Sequence, residues 1–334
     1  MNKTGASNSL TDVPGIMVGH YTSVKAASGV TVILCLSGAV CGVDVRGSAP
    51  GTRETDLLDP VNLVEKVQGI TLSGGSVYGL SAADGVVRWL AERGHGFEIT
   101  GGHVAPIVPA ATLFDLGRGD DYVPPISADW GFLACQSASS DPIQLGCVGA
   151  GTGAVSGNIK GGIGAASQIL PSGIVVAALI AVNSLGSTVN PRTGTLWESQ
   201  LEVEDEFGPL VRRRVKLPIR ETAGSLANTT IGVVAVSAAL TKAQCTKIAQ
   251  MAQDGLARAI RPAHTMFDGD TIFCISTGNH PLNVSQGFFP APMAAAINEI
   301  GVAAADCVSR AIIRAILEAH SIGNVLAFRD LDTV

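Results

Sequence analysis

The chain has 334 residues and a formal net charge of −6, and hydrophobic residues make up 46% of it. This apolar fraction excludes an intrinsically disordered chain. The mildly acidic balance argues against nucleic acid or an anionic membrane as the main partner, because both select basic patches. Only 15% of the residues are charged, against about 25% in a typical soluble domain, which leaves room for a large core and for buried subunit interfaces.

The cysteines and the N-terminal sequence favour a cytoplasmic protein. Seven cysteines are scattered without a C-x-x-C pair, which is typical of reduced, buried thiols and not of disulfides or a zinc site. The first residues contain no apolar segment of the kind found in a secretory signal. The longest clean apolar run, 174–182, is far shorter than the roughly 18 residues that a membrane-spanning helix needs.

Apolar periodicity predicts both strands and helices in the first half of the chain. The predicted strands are 31–36, 39–45, 69–73, 107–114 and 173–183. The predicted helices are 60–67, 77–92 and 128–137. Between the last of these helices and the last strand, 146–164 is dense in glycine and is expected to form a loop or ribbon.

The second half begins with a charged segment. Twelve of the 38 residues at 190–227 are charged, which predicts an exposed excursion with one hairpin. Strands are then expected at 230–238 and 270–276, and helices at 240–260 and 292–320. The first of these helices is expected to be capped near Thr241 and to carry Lys242 on its outer face. Runs of strands flanked by long helices predict an α+β layered sandwich.

Familiar cofactor and nucleophile motifs are incomplete or absent. The segment 149–154 satisfies G-x-G-x-x-A, but a dinucleotide site also needs a following helix and an acidic residue about 20 positions further on. Glycines at 161–162 interrupt any helix, and no acid occurs between Asp141 and Glu198. The six histidines are dispersed. A His-based Ser or Cys triad stays open, although no G-x-S-x-G elbow marks its nucleophile.

A polar pair, Asn228 and Thr229, stands where the charged segment meets an apolar strand. One interpretation is a strand start with polar caps, and N-x-T is also a glycosylation sequon. The other is chemical. If the chain were cut before Thr229, its free α-amine, with an ordinary pKa of about 7.7–8.0, would take the proton from its own hydroxyl. The cut could be self-made, by attack of the Thr229 hydroxyl on the Asn228 carbonyl, an N→O acyl shift and hydrolysis of the ester.

Five blocks of the sequence resemble, in order, the D-aminopeptidase/β-peptidyl aminopeptidase family of self-processing N-terminal nucleophile hydrolases, which includes the nylon-oligomer hydrolase. The resemblance runs over nearly the whole chain. The blocks are APGTRETD at 49–56, LSGGSVYGL at 72–80, VGAGTG at 148–153, NTTI at 228–231 and HTMFDGDTIF at 264–273. Five blocks in the family's order are a much more specific signal than any one motif.

The resemblance implies a four-layer αββα sandwich formed by a single hydrolase domain. The precursor would be cut into an α chain, 1–228, and a β chain, 229–334, that stay associated, and protomers would assemble into tetramers of αβ units. Thr229 matches the family's nucleophile position. Most aminopeptidase members carry serine there, so threonine is closer to the nylon-oligomer branch. The chemistry that the resemblance implies needs no metal and no organic cofactor.

The resemblance also assigns roles around the nucleophile. Asn183 matches an asparagine whose side-chain N–H binds the oxyanion, a donor that is typically worth about 2.7–4 kcal/mol in a transition state. Asp268 and Asp270 match polar positions near the nucleophile's amine, where a carboxylate would hold the α-ammonium. From the residues alone, Asn183 could instead cap a turn at the end of its strand, and Asp-Gly-Asp is itself a turn signal.

The remaining assignments concern an assisting lysine and the substrate pocket. The nylon-oligomer branch uses a lysine upstream of the asparagine strand; we assign this role to Lys160, and Asn158 is the other position that could align with it. Gly74 and Gly75 are expected to contribute to substrate binding. Phe114 is expected there too, and it stands where the nylon-oligomer branch carries a tyrosine.

The prediction is a self-processing amide or peptide hydrolase in which Thr229 forms an acyl-enzyme that water resolves. The partner is a small amide or peptide substrate, with neither nucleic acid nor membrane involved. The nearest rival is acyl transfer of the ornithine acetyltransferase type, in which the acyl group passes to an amine. A rival of another class is a non-catalytic small-molecule binding or assembly protein that keeps the fold and stays uncut.

Overall fold

A computed structural model describes residues 3–218, 228–282 and 292–334 of the chain. The strands of these residues are β1 Met17–Ser23, β2 Ser28–Val45, β3 Gly51–Arg53, β4 Lys66–Ser73, β5 Phe97–Glu98, β6 Val104–Ala105, β7 Ala110–Thr112, β8 Val155–Ser156, β9 Ile159–Lys160, β10 Gly162–Ile169, β11 Val175–Val182, β12 Ile231–Ala238 and β13 Thr271–His280. Their α-helices are α1 Ala82–Ala91, α2 Ala128–Gln136, α3 Lys242–Ala259 and α4 Pro292–Glu318.

One large sheet connects most of these strands. Its order is β10-β11-β12-β13-β2-β4-β7-β3, and β1 pairs with β2 beside this path. The pairs β12–β13 and β4–β7 are parallel, and the other neighbours are antiparallel. The long strand β2 joins the two halves of the sheet, since its second half pairs with β13 and its first half with β4.

Three apolar clusters separate four layers. In the first, α3 and α4 cover the β10–β13 half of the sheet, on side chains such as Val234. The second lies between the two halves of the sheet, where Phe273 of one half and Ile70 of the other are buried together. The third lies under α1 and α2 and includes Val86 and Leu34. The order helix, sheet, sheet, helix confirms the expected α+β sandwich.

The expected helix at 60–67 is wrong. Residues 59–65 are irregular, and β4 begins at Lys66. The reason is Lys242, at the start of α3, which is buried and not on the outer face as predicted. Its ammonium group donates to the main-chain oxygens of Leu57, Asn62 and Val64 at 3.0–3.1 Å. These three main-chain oxygens therefore accept from a buried ammonium group and not from the main-chain N–H groups of a helix.

The charged segment is less exposed than its composition predicts. Within its described part, 190–218, the side chains of Phe207, Val211 and Val215 are buried in the cluster under α3 and α4. Glu206 of the same segment is buried against Arg310 of α4. The rest of the segment, 219–227, lies outside the described residues.

None of the helices in the part of the chain that the structure describes is both long and apolar enough to cross a membrane.

Candidate active site

The sheet topology places Thr229 beside Asn183. Asn183 directly follows β11, and Thr229 stands two residues before β12. Because these strands are antiparallel, with Ala181 opposite Ile231, the end of the first meets the start of the second. The main-chain N–H of Thr229 donates to the main-chain oxygen of Asn183 at 2.5 Å, and both residues are buried.

The Thr229 hydroxyl lies at the carbonyl group of the preceding residue. Its Oγ1 is 2.5 Å from the Asn228 oxygen, to which it donates. The main-chain N–H of Gly269 is 3.2 Å from that oxygen and also 3.2 Å from Thr229 Oγ1. A β-carbon at Gly269 would be 2.8 Å from Thr229 Oγ1 and 2.6 Å from the Ala49 oxygen. A side chain at position 269 would therefore collide with the site.

Two buried aspartates flank Gly269. Asp270 Oδ1 accepts the main-chain N–H of Thr230 at 2.8 Å, and its Oδ2 is 2.9 Å from His264 Nδ1. Asp268 Oδ2 accepts both the main-chain N–H and the hydroxyl of Thr265, at 2.9 and 2.6 Å.

Burial raises the pKa of Asp268, and the negative charge of Asp270 raises it further, while the bonds from Thr265 lower it. Within the described residues, the side chains of the two aspartates do not bond to the Thr229 hydroxyl. Their partners are Thr230, His264, Thr265 and Leu185. Asp270 is thus hydrogen-bonded to the residue that follows Thr229, and Asp268 precedes Gly269, whose main-chain N–H is 3.2 Å from Thr229 Oγ1.

The side-chain amide of Asn183 has one defined orientation. Its Oδ1 accepts from the main-chain N–H of Val155 at 3.0 Å and from Arg118 Nη1 at 2.5 Å. Its Nδ2 donates to the main-chain oxygen of Phe114 at 3.0 Å. Two donors on one side and an acceptor on the other settle which end carries oxygen. A carboxamide nitrogen has two hydrogens, and the second N–H of Nδ2 has no acceptor among the residues that the structure describes.

Lys160 supports the site from behind the glycine-rich loop. Its ammonium group, on a residue that is 1% exposed, donates to the main-chain oxygens of Gly151, Ala154 and Gly161 at 3.1, 2.7 and 2.9 Å. Burial lowers its pKa to about 8, and the neighbouring Cys147 opposes this change. These three hydrogen bonds use all three ammonium protons. The described contacts therefore connect Lys160 to Thr229 only indirectly: Lys160 binds the glycine-rich loop, Val155 of that loop binds Asn183, and Asn183 binds Thr229.

The other candidate for the assisting position and the expected substrate-binding residues lie around this centre. Asn158 Nδ2 donates to the Pro218 oxygen at 2.9 Å. Gly75 donates its main-chain N–H to Asp115 Oδ1 at 2.6 Å, and a β-carbon at Gly74 would be 2.1 Å from Asp115 Oδ2. Phe114 reaches the site through its main-chain oxygen, which binds Asn183. The contacts of its ring with a substrate remain a prediction.

Sequence reasoning missed three residues of this site. Asp115 is buried and accepts from Ser28 and Gly75; burial raises its pKa, and these two bonds oppose the change. Arg118 bonds to the Asn183 side chain and to the Gly153 oxygen. His264, which contacts Asp270, opens the block 264–273, and this was the available signal for it.

Among the described residues, no group of three or more His, Cys, Asp and Glu could hold a metal ion.

Solved structures show the fold class to which this arrangement belongs. An L-aminopeptidase D-Ala-esterase/amidase from Ochrobactrum anthropi, a variant of the Ntn hydrolase fold, matches with a TM-score of 0.73 over 97% of this chain and 90% of that chain, at 21% identity. A beta-aminopeptidase from Burkholderia sp. matches with a TM-score of 0.71 over 96% of this chain and 89% of that chain, at 24% identity. The chain therefore has an Ntn hydrolase fold.

The chain belongs to peptidase family S58, whose model matches residues 8–326. An uncharacterized aminopeptidase of Mycobacterium leprae is 46% identical over 95% of this chain and 92% of its own length. A 6-aminohexanoate-oligomer endohydrolase of Agromyces sp. is 26% identical over 94% of this chain and 88% of its own length. These similarities confirm the expected resemblance, and the protein is a peptide or amide hydrolase.

Proposed function

We propose that the chain cuts itself between Asn228 and Thr229 and that Thr229 then acts as an N-terminal nucleophile. One observation carries the proposal: the buried Thr229 hydroxyl is 2.5 Å from the oxygen of the peptide bond that would be cut, and the Gly269 N–H reaches both atoms. A hydroxyl, a carbonyl group and a main-chain donor at one point are what intramolecular acyl transfer requires.

The proposed cut would use these contacts as follows. Thr229 Oγ1 attacks the Asn228 carbonyl carbon, and the oxygen that becomes negative accepts from the Gly269 N–H. The C–N bond breaks, its nitrogen takes the proton lost by the hydroxyl, and an ester joins Asn228 to Thr229 Oγ1. Water hydrolyses the ester, which leaves a carboxylate on Asn228 and a free α-amine on Thr229. The α chain would be 1–228 and the β chain 229–334.

The same groups then serve hydrolysis of a substrate amide. The Thr229 α-amine accepts the proton of its own hydroxyl, and Oγ1 attacks the substrate carbonyl. The Gly269 N–H and the second N–H of Asn183 Nδ2 hold the oxyanion, while Asp268 and Asp270 stabilise the protonated amine. That proton passes to the departing amine, and water resolves the acyl-enzyme. Lys160 contributes by holding the loop that orients Asn183.

Substrate class, assembly and cellular location belong to the same proposal. The relatives named above are an aminopeptidase and an oligomer endohydrolase, so we expect a small peptide or a linear amide oligomer as substrate. We further propose a cytoplasmic tetramer of αβ units. All seven cysteines are free and six of them are buried, which suits a reducing compartment.

Intact mass and N-terminal sequencing test the nucleophile. Purified wild-type protein is expected to show a second N-terminus reading Thr-Thr-Ile-Gly, and Thr229→Ala is expected to stay uncut and inactive. Thr229→Ser keeps a hydroxyl and should still be cut. An uncut chain in all three proteins would overturn the mechanism and favour a binding or assembly role. In the cut enzyme, product formed only when an acceptor amine is added would favour acyl transfer over hydrolysis.

A further inference from the structure

Arg118 brings a positive charge next to the oxyanion-binding side chain. It lies between β7 and α2, on the short stretch that follows Asp115. Its Nη1 donates to Asn183 Oδ1 at 2.5 Å and to the Gly153 oxygen at 2.6 Å. Burial lowers the pKa of Arg118 to about 10, and the charge of Asp115 opposes this change. The guanidinium group thus remains charged at neutral pH on a residue that is only half-buried.

This charge has no ion-pair partner among the described residues. Both acceptors of Arg118 are neutral, and its Nε and Nη2 make no hydrogen bond within the described parts of the chain. The nearest candidate, Asp115, bonds instead to Ser28 and to the main chain of Gly75. Arg118 is only half-buried, and neither Nε nor Nη2 belongs to the buried, unpartnered side-chain atoms of the described residues, so both are open to a ligand. Arg118 therefore offers two unused donor atoms to an anion that enters the site.

The carboxyl group of Asp115, whose charge acts on Arg118, also acts on a second cation. The ammonium group of Lys160 is close enough for Arg118 to lower its pKa. The carboxyl group of Asp115 has a raised pKa because it is buried. Two cationic side chains, Arg118 and Lys160, thus interact with the single carboxyl group of Asp115. Asp268 and Asp270, on either side of Gly269, would be balanced by the proposed α-ammonium group of Thr229. Among the described residues, the hydrogen-bond acceptors of Arg118 and Lys160 are all neutral oxygens.

Building on the proposed function, we propose that Arg118 binds a carboxylate of the substrate. The enzyme would then prefer peptides or amides that carry an anionic group close to the bond that is cut. A planar guanidinium with two free donor positions suits a carboxylate in bidentate geometry. Because Arg118 also touches the Asn183 side chain, a carboxylate bound there would lie next to the oxyanion site and fix the substrate relative to Thr229.

Matched substrates separate this role from a purely structural one. On the acyl side, L-glutamyl p-nitroanilide is compared with L-glutaminyl p-nitroanilide. On the leaving-group side, β-alanyl-glycine is compared with β-alanyl-glycinamide. Wild-type enzyme should favour the anionic member of at least one pair by about 10- to 100-fold in kcat/KM, the range of a charge-assisted hydrogen bond. Equal rates within both pairs would overturn the inference.

Variants assign the preference to Arg118. Arg118→Gln should remove the preference, and Arg118→Lys should retain part of it. Arg88→Gln is the matched control, because Arg88 is an exposed arginine of α1 that pairs with Asp129 at the surface. If Arg118 only positioned Asn183, Arg118→Gln would slow both members of each pair equally and leave their ratio unchanged. An unchanged ratio would therefore also overturn the inference.

A binding measurement keeps the inference testable whatever the activity. Calorimetric titration with N-acetyl-L-isoglutamine, which carries one carboxylate, and N-acetyl-L-glutaminamide, which carries none, should show a preference for the anion in wild type that Arg118→Gln loses. No preference in wild type would count against a carboxylate site. Failure of the proposed function looks different: the chain would stay uncut and no amide would be hydrolysed, independently of the anion preference in this titration.

Discussion

Lys160 holds a positive charge where almost no water reaches it. The folded protein satisfies its ammonium group with three main-chain oxygens, but burial still lowers its pKa from 10.5 to about 8. Below pH 8 the ammonium group is protonated in both the folded and the unfolded chain, so the folded protein carries the full free-energy cost of burying the charge. Above pH 8 the folded chain releases a proton that the unfolded chain retains, and stability rises with pH up to the unfolded pKa.

We expect Lys160→Met to remove this pH dependence. The free energy of unfolding of the Lys160 protein, relative to that of Lys160→Met, should rise by about 2 kcal/mol between pH 7.5 and pH 9.5, because each pKa unit corresponds to about 1.36 kcal/mol. Urea unfolding at both pH values measures the difference, with Thr229→Ala in every protein so that the chain stays uncut.

Lys247→Met is the matched control for this prediction. Lys247 lies on α3 with its side chain exposed, so its removal should give the same small change at both pH values. If the free energies of unfolding of the Lys160 protein and of Lys160→Met differed by the same amount at both pH values, burial would not lower the pKa of the Lys160 amine.

Among the secondary-structure elements, the sequence predicts well those whose ends depend on neighbouring residues. The helix expected at 240–260 is Lys242–Ala259, and its capping box between Thr241 and Gln244 is visible in the sequence. The strands expected at 31–36 and 39–45 are parts of the single strand β2. Its pairing with β4 is interrupted between Leu34 and Ala39, around Gly38, which has φ of +74°.

Elements that depend on distant partners were not predictable in this way. The irregular chain at 59–65 exists because Lys242, remote in sequence, takes its carbonyls. The same holds in the site. Thr229 stands out where the charged segment meets a strand, and the role expected of Asn183 comes from the family resemblance. Arg118, in contrast, reaches Asn183 across 65 positions of sequence. No local pattern marks such a contact, and only the assembled sheet brings the two residues together.

A buried ion pair connects α4 to the charged segment. Glu206 accepts two hydrogen bonds from the Arg310 guanidinium, the one from Nη2 at 2.9 Å, and both side chains are at most 4% exposed. Arg310 Nη1 also donates to the Ser167 oxygen of β10 at 3.0 Å. The pair therefore joins the segment, the helix and the edge of the sheet.

We expect Glu206→Ala to lower the free energy of unfolding by about 3–5 kcal/mol, because it leaves the Arg310 charge buried and unpaired. Replacing both partners, Glu206→Leu with Arg310→Met, should recover most of that loss. The surface pair of Arg88 and Asp129 is the matched control, and Asp129→Ala should cost at most about 1 kcal/mol. Urea unfolding of uncut Thr229→Ala protein measures all of them. A loss for Glu206→Ala as small as for Asp129→Ala would contradict the argument.

In the whole molecule, the proposed cut runs through the sheet and not between separable parts. Residues 229–334 contribute β12 and β13, which are adjacent and parallel. On one side β12 pairs with β11, and on the other β13 pairs with β2. Both of these flanking strands belong to residues 1–228. The second chain would therefore occupy the middle of the sheet, with α3 and α4 packed over it.

This topology predicts that the cut enzyme stays together without a covalent link. Separating the chains would break two strand ladders and expose the central apolar cluster at once, so the wild type and uncut Thr229→Ala should elute identically on size-exclusion chromatography under native conditions. Both chains of the wild type should appear in equal amounts in that peak and separate only in denaturant. Because the sheet is complete in either form, the two proteins should also have closely similar native circular dichroism. A wild-type chain 229–334 that eluted alone would show that the ladders on both sides of β12 and β13 are too weak to hold the cut molecule.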